Sequence, residues 1–136
     1  MIKKILPMLS LVLLTACVNP QTQMDTCTSD RNNLVLSSKD LINTLIEKDY
    51  DSAIEYNYDE TISALIESGL FKDELTRNFE ELGDFKELGV AICGSDENYD
   101  VVAFPMKFKN KNVNVNIVYN KDGAITGVNL SDYTGQ

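Results

Sequence analysis

Val-Asn-Val-Asn-Ile-Val-Tyr, residues 113–119, is the stretch that decides the fold. Apolar side chains alternate there with Asn114 and Asn116, a period of two that predicts a β-strand with one face in a core and the other in water. The next four residues, Asn-Lys-Asp-Gly at 120–123, are typical of a tight hairpin turn. We therefore expect the chain to reverse and pair this strand with residues 124–130.

The same alternation occupies two segments further upstream. In residues 102–108 every second side chain is apolar, and Pro105, which lacks an N–H, favours a sheet edge or a bulge. Residues 85–94 alternate in the same way, and Gly89 allows a bulge. Polar turns separate the segments. Together they predict four antiparallel strands that follow one another as a meander.

Before residue 85 the apolar spacing is that of helices. The first helix begins near Asp30 or, alternatively, at a capping box of Ser37 and Asp40. A short second helix is expected at residues 50–57, a third from an Asp59 cap to Gly69, and a fourth that ends at Gly83. Helices followed by strands are typical of an α+β domain, with N-terminal helices packed on one face of a four-stranded antiparallel sheet.

Several segments at the junctions of the predicted elements carry a resemblance to a known family. The helix-to-strand junction reads FKDEL at 71–75 and FEELGDFK at 79–86, the first helix junction reads EKDYDSA at 47–53, and the last hairpin reads YNKDGAITGV at 119–128. These segments resemble the same junctions of one bacterial family, a domain of unknown function of the 3887 type. The resemblance covers about residues 34–130. It implies a cone-shaped fold like that of nuclear transport factor 2, in small secreted or lipid-anchored proteins.

The resemblance transfers no functional residue, because the family has no agreed site. Some relatives carry an α/β-hydrolase after this domain. No such module is expected here, so hydrolase activity is not inferred. Phe79 stands where the family pattern has Trp, and it keeps the core role.

The first seventeen residues, MIKKILPMLSLVLLTAC, predict where the protein resides. A positive start at Lys3 and Lys4, an apolar run at 5–14 and small residues before Cys17 resemble the lipobox of bacterial lipoproteins. The apolar run is too short to span a bilayer, which needs roughly 20 residues. We expect an extracytoplasmic protein anchored by lipid on Cys17, in the outer membrane if the host has two. The alternatives are a secreted protein with a free Cys17 thiol and a residual membrane anchor.

This interpretation divides the chain into three parts. Residues 1–16 are a lipoprotein signal peptide, residues 17–30 a polar, lipidated tether, and residues 31–136 a single α+β domain. Thioether-linked diacylglycerol supplies two acyl chains and amide acylation a third, such as palmitate. Two chains hold a protein stably at a membrane where one does not.

The charge and composition exclude several classes of function. Loss of two lysines with the signal peptide takes the formal net charge from −9 to −11. Such a chain repels phosphate backbones, so no nucleic-acid partner is expected. The charge indicates either a cationic partner or plain solubility. The chain has no His, which excludes Ser-His-Asp and Cys-His nucleophilic sites and His-based zinc sites. No cofactor is expected.

Two cysteines remain once Cys17 carries lipid. Cys27 and Cys93 form an even pair in an oxidising compartment, so we predict a disulfide between them. The alternative is a pair of buried free thiols.

The candidate chemical groups lie near the end of the second predicted helix. Tyr56, Tyr58, Asp59 and Glu60 include tyrosines and carboxylates, which transfer protons when they are buried together. The alternative is that Tyr56 packs and Asp59 caps a helix. Three weaker candidates each have a plainer interpretation. The acidic pairs Glu80-Glu81 and Asp96-Glu97 could bind calcium or form solvated surface, and alternate asparagines could form a binding face or the solvated side of a strand: Asn110, Asn112, Asn114, Asn116. The alternating apolar residues Phe104, Met106 and Phe108 could line a cavity or belong to the core.

The sequence as a whole favours a non-catalytic lipoprotein that binds a small ligand or another envelope protein. One alternative is a lyase or isomerase that uses Tyr56, Tyr58 or Asp59 in a pocket. Another is an acidic decoy or inhibitor for a cationic partner.

Overall fold

The computed structural model describes residues 24–135. The predicted signal peptide and Cys17 lie outside the described residues. The first half of the described chain is helical, with α1 at Asn32–Ile46, α2 at Tyr50–Ala53, α3 at Glu60–Glu67 and α4 at Leu70–Leu82. A 3-10 turn, Ser29–Arg31, leads directly into α1. The first helix therefore begins at the earlier of its two predicted starts, and the Ser37 and Asp40 pair lies inside it.

Side-chain caps set where the short helices begin. The carboxylate of Asp49 accepts a hydrogen bond from the Ser52 N–H at the start of α2. The carboxylate of Asp59 does the same for the Ile62 N–H at the start of α3, as predicted. Gly69, at a φ of 84°, separates α3 from α4. Helix α2 ends at Ala53, four residues earlier than predicted.

The second half of the chain forms most of an antiparallel sheet. Its strands are β1 at Asp25–Thr26, β2 at Phe85–Leu88, β3 at Ile92–Ser95, β4 at Tyr99–Phe108, β5 at Asn112–Asn120 and β6 at Ile125–Asp132. The order across the sheet is β1-β3-β4-β5-β6, and β2 also pairs with β4. The α+β class is confirmed, but the predicted number of four strands is wrong, since the described residues form six.

The two additional strands have different physical origins. Strand β1 contains two residues, too few to show any alternation, and it pairs with β3 through Asp25 opposite Cys93. The other arises because the predicted strand at 85–94 is broken in the middle, so that β2 and β3 pair with successive parts of the same edge of β4.

Gly89 and Pro105 cause this break. The Gly89 N–H donates to the Pro105 carbonyl oxygen at 2.7 Å, and a β-carbon on Gly89 would lie 2.8 Å from that same oxygen. Pro105 has no N–H to return, so the ladder stops beside it. The irregularity predicted at these two residues is therefore present, as an interruption between strands.

One face of the sheet carries the core. The helices contribute residues such as Leu41 and Leu75, which pack with Phe104, Met106 and Ile117 on alternate positions of β4 and β5. All five side chains are 2% exposed or less. The helices thus cover a single sheet face, as predicted.

The opposite face corrects the expectation of solvated asparagines for Asn114 and, in part, for the half-buried Asn116, whereas Asn110 and Asn112 are exposed as expected. Asn114 is 4% exposed and exchanges hydrogen bonds with Thr134 at 3.0 and 3.1 Å. The Asn116 amide donates to Asn129 at 3.0 Å and to Ser131 at 2.9 Å. Residues after β6 turn back over this face, and cross-strand amides satisfy one another.

Candidate functional site: a groove beside the disulfide

A disulfide between Cys27 and Cys93 joins the start of the described chain to β3. This confirms the predicted pairing. It holds the preceding strand β1 against the sheet edge, where Asp25 and Thr26 oppose Cys93 and Ile92. Part of the segment predicted as a tether therefore belongs to the folded domain. Two paired residues alone would hold it weakly, and the disulfide fixes it covalently.

Arg31 makes a second attachment of this segment. Its guanidinium pairs with the carboxylate of Asp100 at the start of β4, and Lys121 lies 3.3 Å from the same carboxylate. Burial acts to raise the pKa of Asp100, but hydrogen bonds from Arg31, Ser95 and Lys121 outweigh it and hold the pKa below its ordinary value. Asp100 is therefore ionised at neutral pH and fixes Arg31, the residue that precedes α1.

An open groove of about 680 Å³ lies between this fixed segment and the break in the sheet. One wall is the chain from Thr26 to Ser29, and one is a face of α1 that carries Asn32, Val35 and Lys39 at helical spacing. Leu88, Gly89, Val90 and Ala91 form the third side, and Phe104 of β4 lies at the base. The groove thus exists only where the disulfide, α1 and the β2–β3 connection meet.

The polarity of this groove is uneven. Its base and one lip are apolar, and Val90 at that lip is 83% exposed. The opposite wall contains Thr26, Thr28 and Ser29, and the Thr28 hydroxyl donates a hydrogen bond to the Asp30 carboxylate. Among the described residues that line it, Lys39 is the one charged side chain. A volume between roughly 300 and 1,000 Å³ with an apolar base and a few polar groups is typical of small-molecule sites.

The predicted candidates Tyr56, Tyr58 and Asp59 lie elsewhere and have separate partners. The Tyr56 hydroxyl is 2.8 Å from the Thr44 hydroxyl and donates to Asp40 at 3.1 Å. Its pKa is raised, because burial and the Asp40 carboxylate outweigh the hydrogen bond with Thr44. Tyr56 is thus attached to the outer side of α1.

Tyr58 and Asp59 have structural partners. Tyr58 is 8% exposed and donates to the Ala53 carbonyl at 2.6 Å, and burial raises the pKa of its phenol. Asp59 caps α3 and accepts from the Thr126 hydroxyl of β6. The tyrosines remain protonated at neutral pH and act as hydrogen-bond donors. The structure does not bring these three residues to a shared hydrogen-bonded site, and Glu60 is exposed at the start of α3.

The weaker candidates are placed as follows. Glu80 accepts a hydrogen bond from Tyr50 at 3.0 Å and lies 3.5 Å from Lys48. Asp96 accepts from two backbone N–H groups in the β3–β4 turn. Within residues 24–135 no cluster of three or more Asp, Glu, Cys or His side chains is arranged to hold a metal. In the same range no helix is long and apolar enough to cross a membrane.

Sequence reasoning missed the groove residues. Phe104 was a cavity candidate and lies at the base, but Lys39 and Val35 had no motif to mark them. The available signal was indirect: Gly89, where the sequence allows a bulge, lies next to Val90, and the predicted disulfide draws Cys27 toward this part of the chain.

Comparison with known proteins gives one match. A family model described as "Protein of unknown function (DUF3887)" matches residues 38–128, from the middle of α1 into β6. No curated protein and no solved structure matches the chain. The groove wall formed by residues 26–35 lies before the matched span, whereas Lys39 and the lip at 88–91 lie within it.

Proposed function

The chain belongs to this family of unknown function, DUF3887, and from that premise we propose that it is a lipid-anchored, extracytoplasmic binding module that takes a small ligand in the groove beside the disulfide. The observation that carries the binding role is the groove itself, about 680 Å³ with an apolar base. The proposed role is non-catalytic. It is supported by a chain without His and by tyrosines that serve as structural donors.

The proposed anchor is supported by the order of charge, apolar run and small residues before Cys17. Met24, the first described residue, follows Cys17 by seven positions. Seven extended residues reach about 25 Å, so the groove wall that begins at Thr26 would lie close to the membrane surface. We also propose that the domain has the cone-shaped fold of nuclear transport factor 2. The helices that cover one face of an antiparallel sheet support this proposal.

Native mass spectrometry tests the binding role. The protein is extracted from its own host without reduction, and the bound mass is read on the intact chain. We expect a retained small molecule on the wild type. The Ala91→Trp variant, which places a large ring in the groove, is expected to lose that mass. The control is Ala64→Trp, which introduces the same ring at an exposed position of α3.

The outcomes distinguish a ligand in the groove from a molecule that is bound elsewhere on the protein. Loss of the extra mass in Ala91→Trp alone supports a ligand in the groove. A bare wild-type chain, or an extra mass that both variants retain, contradicts the proposal.

The anchor has its own test. Cys17→Ser is expected to leave the protein unprocessed or released, and metabolic labelling with a palmitate analogue should label the wild type and not the variant. A processed Cys17→Ser protein that still partitions with membranes contradicts the anchor.

A further inference from the structure

The charge distribution around the groove indicates which ligands it excludes. The whole chain is strongly acidic, with 21 Asp and Glu against 12 Lys and Arg. None of the described residues that line the groove is acidic, and Lys39 supplies one positive charge there. Within residues 24–135 Lys39 has no ion-pair partner, whereas Arg31 and Lys121, close by in the fold, are both occupied by Asp100. The one charged side chain among the described lining residues is thus positive, and the Asp30 carboxylate beside the wall is hydrogen-bonded by the Thr28 hydroxyl.

The shape adds a second constraint. Asn32 and Lys39 are seven residues apart on α1, which corresponds to about 10 Å along the helix axis. Val35 lies between them in the sequence of α1, and Ala91 and Phe104 also line the groove, so the lining offers apolar side chains beside the one charge. A ligand that fits both features has an apolar chain and a single anionic end.

We infer that the groove binds a single-chain anionic amphiphile, with its apolar chain along Val35, Ala91 and Phe104 and its anionic head at Lys39. This inference rests on the proposed function and specifies its ligand class. Charge complementarity selects the anionic head, since a cationic head would meet Lys39 and no carboxylate in the described lining. A fatty acid and a monoacyl glycerol phosphate share this chemistry.

The absence of Trp from the chain allows a clean fluorescence test. Val90→Trp places one indole at the exposed lip of the groove, and Leu70→Trp places one at an exposed position on α4, outside the groove, as the control. The full chain is reconstituted in phosphatidylcholine vesicles. Quenching is titrated with 12-bromododecanoic acid, with its methyl ester, and with a monoacyl glycerol phosphate that carries the same brominated chain.

The inference predicts saturable quenching by the acid at Val90→Trp and only linear, membrane-type quenching at Leu70→Trp. The methyl ester should require a concentration about threefold to fivefold higher, as the loss of one partly exposed ion pair implies. Adding Lys39→Glu should weaken binding of the acid about tenfold, while Lys86→Glu, which changes an exposed lysine that does not line the groove, should leave this binding unchanged. If the glycerol phosphate saturates at lower concentration than the acid, the ligand is a membrane lipid product; the reverse order indicates a free fatty acid.

Two results would overturn the inference in different ways. Equal quenching by the acid and the ester, with no effect of Lys39→Glu, would show that the groove does not select an anionic head, although it still binds a ligand. No saturable quenching by any probe removes the amphiphile altogether, and the native mass of the wild type and Ala91→Trp then decides separately whether the groove binds any small molecule.

Discussion

Removal of the disulfide should cost this protein a large share of its stability. Cys27 and Cys93 are 66 positions apart, so the bond closes a long loop in the unfolded chain. In the chain-entropy description a loop of that length contributes about 4 kcal/mol. A domain of this size is stable by only about 5–15 kcal/mol, so the double variant Cys27→Ala, Cys93→Ala should lose a quarter or more of its free energy of unfolding.

Urea denaturation of the non-lipidated Cys17→Ser chain measures this cost. Far-UV circular dichroism follows the unfolding, and tyrosine fluorescence provides an independent probe in a chain with six Tyr and no Trp. The midpoint should fall, and thermal unfolding should begin about 15 °C lower. The dependence of free energy on urea should become steeper, because an unfolded chain without the cross-link exposes more surface.

The same measurement contains its own control. Dithiothreitol should reduce the stability of the parent chain to that of the double variant and leave the double variant unchanged. A loss below about 1 kcal/mol, or an unchanged urea dependence, would refute the argument that the bond acts by constraining the unfolded chain.

Three further changes test other parts of the structure. Ser38→Ala and Tyr119→Phe should each lower the free energy of unfolding by about 1–3 kcal/mol, because the two buried hydroxyls lie 2.7 Å apart and removal of one leaves the other unpaired. The double variant should lose less than the sum of the two single losses, and strictly additive losses in a denaturation cycle would contradict this. Gly89→Ala should destabilise by about 1–3 kcal/mol, since its β-carbon would lie 2.8 Å from the Pro105 carbonyl oxygen, and unchanged thermal unfolding would exclude that clash. Asp100→Asn should make the loss of stability below about pH 4 less steep. The Asp100 carboxylate has a lowered pKa in the folded protein, so it stabilises the fold above its unfolded pKa of about 3.9 and loses that contribution as the pH falls through the folded pKa. Identical acid unfolding curves for the parent and the variant would contradict this prediction.

The parts of the fold that depend on repetition were predictable. Strand β5 and the hairpin to β6 follow from alternation and an Asn-Lys-Asp-Gly turn, and both are present. The cap of α3 by Asp59 follows from local chemistry. In each case the signal lies within a few residues, where periodicity and hydrogen-bonding capacity decide the structure.

The parts that depend on distant contacts were not predictable. Strand β1 is two residues long and has no pattern of its own, and the break between β2 and β3 depends on how Gly89 meets Pro105 across the sheet. The groove combines a segment near residue 28 with one near residue 90, and a cysteine count was the one sequence feature that linked them. Tyr58, predicted as a candidate in a pocket, became a core donor to Ala53 because a buried hydroxyl needs a partner wherever the chain provides one.

Strand β1 also bears on association between copies of the protein. It occupies the outer edge of β3, where unpaired backbone groups would otherwise offer a template for another strand. Two residues cover an edge of four, Ile92–Ser95, and Cys27 keeps them there. By holding β1 on this edge, the disulfide should hinder the addition of a strand from a neighbouring molecule, and we expect reduction of the bond to favour such pairing.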